Sequence, residues 1–209
     1  MKVLVVGGAV GLAALLAVLA GVVVLWGGPP AVVDTPAGPF RGSEAPAGIR
    51  LPSFSLRDES GRLVREPDLR GRVVLLMFLD AQCTESCPVI AWEIARTLDA
   101  LEANERKRVI AVAISTDPAE DTPEAVRSFL RRRHAQGRLR YLTGSLATMR
   151  PLWRSFQILP SADSGSDSLH SAPVRIYSSG GEWLATLHAG ADLTKENLRH
   201  DIRVALDLG

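Results

Sequence analysis

Two apolar runs without a charged residue stand out in the pattern of hydrophobic and polar positions, Val73–Leu79 and Val109–Ile114. Short, uncharged runs of this kind are typical of strands that are buried on both faces of a sheet. Between the two runs, apolar residues recur at helical spacing, at Ile90, Ile94, Leu98 and Leu101. The sequence therefore predicts a parallel strand–helix–strand unit with a right-handed crossover.

Shorter patterned segments on both sides of this unit predict two hairpins and three further helices. Turn residues at 58–61 and at 179–181 separate short apolar segments, which is typical of β-hairpins. Thr122, Ser145 and Thr194 each precede an amphipathic segment, as expected of helix N-caps. With a short strand before Ser145, the order is hairpin, β, α, β, α, β, α, β, β, α. This order is that of a thioredoxin-like α/β sandwich with an N-terminal β-hairpin.

The first 26 residues predict a transmembrane anchor. Val3–Trp26 contains no charged residue, and a spanning helix needs about 20 apolar residues. A cleavable signal peptide would have a shorter apolar core of roughly 7–15 residues, followed closely by a small-residue cleavage site. We therefore favour an uncleaved anchor at 1–26. The Pro-, Gly- and Ala-rich segment 27–50 predicts a linker, and the globular domain is expected at 51–209.

The orientation of this anchor follows from the charge that precedes it. Lys2 is the only basic residue before the apolar run, and the positive-inside tendency places that end in the cytoplasm. The expectation is a single-pass protein of a bacterial-type inner membrane, with its domain on the outer, extracytoplasmic face. Thiols can be oxidised in that compartment.

The charge balance gives no support for a nucleic-acid partner. The formal net charge is +1 at pH 7, far from the basic excess that such partners require. The one basic run, Arg131–His134, closes a predicted helix, where cations interact favourably with the helix dipole. We interpret it as a solvated helix end.

The chain has two cysteines, Cys83 and Cys87, and both lie between the first buried strand and the following helix. Pro88 suits the first turn of that helix, and the positive helix N-terminus favours the thiolate form of Cys87. A structural disulfide is one interpretation, but it would close a very small loop. Such a loop stabilises little compared with the ~3 kcal/mol of a 15-residue loop. Redox chemistry and metal binding remain as alternatives.

The C-x-x-x-C spacing has one residue more than the C-x-x-C of thioredoxin-type reductases. The wider loop lets two sulfurs approach a shared ion. Thiolates suit Cu(I), and an added imidazole also accommodates Cu(II). Of the histidines, His134, His188 and His200 are expected at the surface. His170 follows the polar segment Pro160–Ser168 and enters a strand, where a thioredoxin-like fold brings the chain near the active-site turn.

Four segments together resemble the ordered signature of the Sco/SenC family: Cys83–Pro88, Asp117–Pro123, Tyr141–Ser145 and His170–Ala172. The resemblance runs from about Phe54 to the C-terminus. Members of this family are membrane-tethered thioredoxin-like proteins implicated in delivering copper to the binuclear copper site of cytochrome c oxidase. The anchor and linker match the family's usual layout.

By position, the resemblance implies that a copper ion, Cu(I) or Cu(II), binds to Cys83, Cys87 and His170. It implies a copper-bearing oxidase subunit, or another copper protein, as partner. It also suggests turn and cap roles for three residues of the second segment, Asp117, Asp121 and Thr122. The family usually has Pro-Asp and a hydrophobic residue between its cysteines, whereas this chain has Thr84–Ser86. The added carboxylate of Glu85 is expected to disfavour a second thiolate.

The sequence thus predicts a membrane-anchored, thioredoxin-like copper-binding protein that helps to mature a copper enzyme. One alternative is an enzyme, a thiol–disulfide oxidoreductase that reduces target cysteines without carrying copper and does not need His170. Another is a redox or copper sensor that acts as an interaction module. The target protein and the oligomeric state do not follow from the sequence.

The predicted anchor has a direct test. Full-length protein should remain with membranes after alkaline carbonate washing, because Val3–Trp26 would be embedded in lipid. Immunoblotting of pellet and supernatant measures this. A soluble form that begins within 27–50 would instead show cleavage.

Overall fold

The computed structural model describes residues 38–160 and 173–209. Val3–Trp26, His170 and most of the polar segment before it lie outside these ranges. Within the described ranges, no helix combines the length and the apolar character that crossing a bilayer requires.

The described residues form one eight-stranded mixed sheet and five α-helices. In chain order, the strands are β1 Ser43–Glu44, β2 Ser55–Asp58, β3 Leu63–Arg65, β4 Val73–Leu79, β5 Val109–Ser115, β6 Leu139–Thr143, β7 Pro173–Tyr177 and β8 Trp183–His188. The helices are α1 Ser86–Asp99, α2 Ala103–Lys107, α3 Pro123–Arg132, α4 Leu146–Ser155 and α5 Lys195–Leu208. A 3-10 turn spans Glu66–Leu69.

The strand β4 lies inside the sheet, whose order is β1-β8-β7-β4-β5-β6-β2-β3. It pairs with β5 in parallel along its whole length, from Val73↔Val109 to Leu79↔Ser115, and with β7 antiparallel. All seven residues of β4 and all seven of β5 are buried. The predicted parallel strand–helix–strand unit and the thioredoxin-like α/β architecture are therefore confirmed.

Each face of the sheet has its own hydrophobic core. On one face, alternate residues of β4 such as Leu75 and Met77 pack with apolar residues of α1, α3 and α5. On the other face, Leu76 and Phe78 pack with Trp153 and other residues of α4 and with the segment that leads into β2. Because both faces are covered, a strand in the middle must be apolar at every position.

The predicted caps and hairpins are present. The hydroxyl oxygens of Thr122, Ser145 and Thr194 accept hydrogen bonds from the third following backbone N–H, at the starts of α3, α4 and α5. The pairs β2–β3 and β7–β8 are antiparallel. These elements depend on local signals, so the sequence was sufficient to find them.

The sheet begins earlier than the predicted domain boundary at Leu51. β1 lies within the predicted linker 27–50 and pairs with β8 through Ser43↔Thr186. Just before β1, the backbone N–H groups of Arg41 and Gly42 donate to the buried carboxylate of Asp201, at 2.8 and 2.9 Å. These bonds join residues about 160 positions apart, which no local pattern reveals.

Leu76 offers a test of this packing. This β4 side chain is 0% exposed and lies in the core between the sheet and α4. Leu76→Ala should lower the free energy of unfolding of the domain by about 2–5 kcal/mol, because it leaves a cavity. Urea unfolding of residues 38–209 measures the loss. The control, Leu63→Ala, removes a side chain that is 37% exposed and should cost less than about 1 kcal/mol; equal losses would contradict the described core.

Candidate metal and thiol site

The cysteine loop begins where β4 ends and stops where α1 begins. Asp80 shapes its first turn, because its Oδ1 accepts the Gln82 N–H at 2.7 Å and its carbonyl oxygen accepts the Cys83 N–H at 3.2 Å. α1 then starts at Ser86, so that Cys87 lies in the first helical turn. Pro88 falls in the same turn, as predicted. The loop thus places both thiols at the positive end of α1.

Cys83 is the thiol that the surroundings favour as thiolate. Its sulfur is half-buried and accepts a hydrogen bond from the Cys87 thiol, and further ones from the backbone N–H groups of Cys87 and Glu85 and from the Ser86 hydroxyl. Against the opposing effect of burial, these donors lower the pKa of Cys83 to about 5. Cys83 is therefore a thiolate at neutral pH, the form that attacks disulfides and binds metals.

Cys87 has the opposite character. Its pKa is raised because its thiol donates to Cys83, because it is buried, and because the negative charges of Cys83 and of the Asp80 carboxylate lie nearby. The Asp80 N–H donates to its sulfur at 3.5 Å, which only partly offsets these effects. Neither Cys83 nor Cys87 is in a disulfide. The pair consists of one accessible thiolate and one buried thiol that share a proton.

A buried carboxyl supports the loop from beneath. Asp121 is 2% exposed and accepts hydrogen bonds from the Ala81 N–H at 2.9 Å and the Ser115 hydroxyl at 2.6 Å. The Tyr141 hydroxyl lies 2.7 Å from the same carboxyl group and 2.8 Å from the carbonyl oxygen of Leu79. Burial raises the pKa of Asp121 to about 6. These contacts join the cysteine loop to the end of β5 and to the middle of β6.

The second signature segment thus has two functions. Asp117 forms a turn through hydrogen bonds from the N–H groups of Ala119 and Glu120, and Thr122 caps α3, as predicted. Asp121 instead holds the cysteine loop. Its partner Tyr141 opens the third signature segment but was not identified as a site residue from the sequence; a polar hydroxyl within an apolar strand was a further signal that could have indicated it.

The structure brings Cys83 and Cys87 together and leaves the predicted role of His170 untested, because His170 lies outside the described residues. Of the other histidines, His188 and His200 are half-buried and lie near acidic side chains at 3.9 and 2.9 Å; His134 is exposed. Within 38–160 and 173–209, no three His, Cys, Asp or Glu side chains are grouped so that they could hold a metal ion.

The shared proton predicts how the two thiols react. Alkylation of Cys83 by iodoacetamide should follow a midpoint near pH 5, whereas an ordinary thiol titrates near 8.5. Cys87→Ala should raise this midpoint, because the Cys87 thiol is the strongest of the donors to the thiolate. Mass spectrometry of the modified peptide measures both rates. An unchanged midpoint in the variant would show that the helix end alone sets the pKa.

Comparison with known proteins identifies the family. The SCO1/SenC family model matches residues 43–207. The chain is 30% identical over 142 residues to the mitochondrial SCO1 homolog 1 of Arabidopsis thaliana, covering 67% of this chain and 41% of that protein. Its fold resembles Bradyrhizobium japonicum ScoI with copper bound, with a TM-score of 0.63, 24% identity and coverage of 75% and 99% of the two chains.

A second solved structure is BsSco, described as having a disulfide switch and as a member of the Sco family of cytochrome c oxidase assembly proteins. Its TM-score is 0.65 at 22% identity, with 77% of this chain and 95% of that chain covered. These structural likenesses show a shared fold. The family match extends over most of the chain, from β1 into the last turns of α5, and the chain belongs to the SCO1/SenC family.

Proposed function

We propose that this protein binds copper through its cysteine pair and assists the assembly of the binuclear copper site of cytochrome c oxidase. The observation that carries the proposal is the convergence of the Cys83 and Cys87 sulfurs on one shared proton. Two sulfurs this close, one already a thiolate, form a donor set that suits a soft ion. A copper ion held by both would take the place of the Cys87 proton.

Relatives support this assignment. ScoI is described with copper bound, and BsSco is described as belonging to a family of oxidase assembly proteins. By family resemblance, His170 is the third copper ligand, and the copper-bearing oxidase subunit or another copper protein is the partner. The copper ion is the cargo: it is taken up by the pair and handed on.

We further propose that the domain works on the outer face of a membrane. The uncharged Val3–Trp26 run would be the anchor, and the Pro- and Gly-rich chain that follows would hold the domain off the bilayer. This arrangement would place the thiols in a compartment where disulfides can form.

The second candidate function is thiol–disulfide exchange, and the asymmetry of the pair favours it. The Cys83 thiolate would attack a target disulfide and form a mixed disulfide, releasing one target thiolate. Cys87 would then give up its proton and displace the second target thiolate. The target gains two electrons and its dithiol, and the protein is left with a Cys83–Cys87 disulfide. A sensor would use the same chemistry to signal to a partner.

The variant His170→Ala separates the two functions. Loss of an imidazole ligand should weaken Cu(II) binding by at least about 10–100-fold, the range found even for less direct partners of a metal. The remaining thiolates should still hold Cu(I), and disulfide exchange should continue because it needs only a thiolate and a resolving thiol. Titration with Cu(II), followed by the thiolate-to-copper charge-transfer band, and a parallel disulfide-reduction assay measure these effects.

A matched control is His188→Ala, which removes a half-buried histidine of β8 and should leave both assays unchanged. If His170→Ala leaves Cu(II) binding intact but abolishes reduction, copper delivery is the wrong function. His170 would then serve the thiol chemistry.

A further inference from the structure

A cleft of about 400 Å³ opens at the end of the sheet opposite to the cysteine loop. Arg72 immediately precedes β4, and Val109 and Leu139 are the first residues of β5 and β6. The seven-residue β4 therefore separates Arg72, at one end of the cleft, from the cysteine loop by about 20 Å, at ~3.3 Å per residue. The cleft is physically distinct from the thiol site.

Arginine dominates the charge of this cleft. Five arginines line it, and with them apolar residues at the starts of the strands such as Ile110 and Leu139. The arginines are Arg62, Arg72, Arg106, Arg138 and Arg140. The lining of the cleft is therefore amphipathic, with both apolar residues and several guanidinium groups. A ligand that fits it has an anionic group and an attached carbon skeleton.

The two carboxylates of the cleft are occupied by other partners. The Asp58 Oδ1 accepts hydrogen bonds from the Ser60 hydroxyl and from the backbone N–H groups of Ser60 and Arg62, at 2.6 to 3.0 Å. The Glu59 Oε2 accepts the backbone N–H of Tyr141 at 3.1 Å. Their oxygens stabilise the hairpin turn and the edge of β6. Neither carboxylate forms an ion pair with a cleft arginine.

Among the cleft arginines, Arg72 and Arg140 are the two whose charges a bound anion would stabilise most. Both are half-buried, and burial together with the charge of Arg140 lowers the pKa of Arg72. Within the described part of the chain, the Arg72 guanidinium donates only to the carbonyl oxygen of Asp68, at 2.8 Å. Among residues 38–160 and 173–209, no carboxylate lies within ion-pair distance of either guanidinium. Two like charges held close without a counter-charge repel each other.

We propose that this cleft binds a phosphate group that is attached to an apolar or sugar-like moiety, with Arg72 and Arg140 as its principal donors. Guanidinium groups donate two parallel hydrogen bonds to phosphate oxygens and are less strongly hydrated than ammonium groups, which suits a half-buried anion site. The volume lies within the range of small-ligand sites. The phosphate could come from a soluble phosphate ester or from a lipid headgroup.

The experiment uses the full-length protein in a non-ionic detergent, free of copper, with native mass spectrometry to count bound ligands. One arm adds pyrophosphate as the soluble probe. The other adds dihexanoyl-phosphatidylglycerol, with dihexanoyl-phosphatidylcholine as the neutral-headgroup counterpart. Arg72→Gln/Arg140→Gln should weaken binding of the effective probe about tenfold or more, because charge-assisted hydrogen bonds to the phosphate are lost. The matched control Arg131→Gln/Arg154→Gln removes two exposed arginines outside the cleft and should not weaken it.

Thermal unfolding supplies a second measurement. The bound probe should raise the melting temperature of the wild type but not of Arg72→Gln/Arg140→Gln. If that variant does not fold, Arg72→Lys/Arg140→Lys keeps the charges, loses the paired hydrogen bonds and should still bind more weakly. Binding of pyrophosphate alone assigns a soluble phosphate compound, and binding of phosphatidylglycerol alone assigns a lipid headgroup. The proposal fails if neither probe saturates at one equivalent, or if the control variant binds as weakly as the cleft variant.

Discussion

Burial of β4 on both faces is the constraint on which the site depends. Because α-helices cover the sheet on each side of this strand, none of its seven positions can carry a charge. The first polar residue after it, Asp80, therefore marks the place where the chain leaves the sheet. That exit point places the next turns at the carboxyl ends of β4 and β5. In open α/β sheets, ligands bind at this edge.

This edge of the sheet is rigid because one buried carboxyl group forms hydrogen bonds with the cysteine loop, β5 and β6. Asp121 accepts hydrogen bonds from the loop after β4 and from the end of β5, and the Tyr141 hydroxyl of β6 lies against it. All three contacts end on one side chain that is 2% exposed. Loss of any one would leave a buried polar group without a partner, which costs about 1–3 kcal/mol. The cysteine loop is thus held from below while its sulfurs remain free to react.

Local signals in the sequence were sufficient for most of the fold, and long-range contacts account for what they missed. β4, β5, the two hairpins and the caps at Thr122 and Ser145 follow from patterns within a few residues, so they were predicted with nearly the observed bounds. β1 exists only because β8 and Asp201 lie beside it. The presence of Arg72 and Arg140 in one cleft likewise depends on segments that are far apart in the chain.

The effect of acidic residues on the two cysteines also depends on spatial contacts that the sequence alone does not show. The sequence suggested that the Glu85 carboxylate would oppose a second thiolate. The pKa of Cys87 is indeed raised, first by the hydrogen bond that its thiol donates to Cys83 and by burial, but the carboxylate that contributes is that of Asp80. Glu85 and Ser86, which replace the family's usual residues, also donate hydrogen bonds to the Cys83 sulfur, Glu85 through its backbone N–H and Ser86 through its hydroxyl. The loop thus stabilises one thiolate and disfavours two. An ion bound by both sulfurs must displace the Cys87 proton, and its affinity must therefore fall as the pH is lowered.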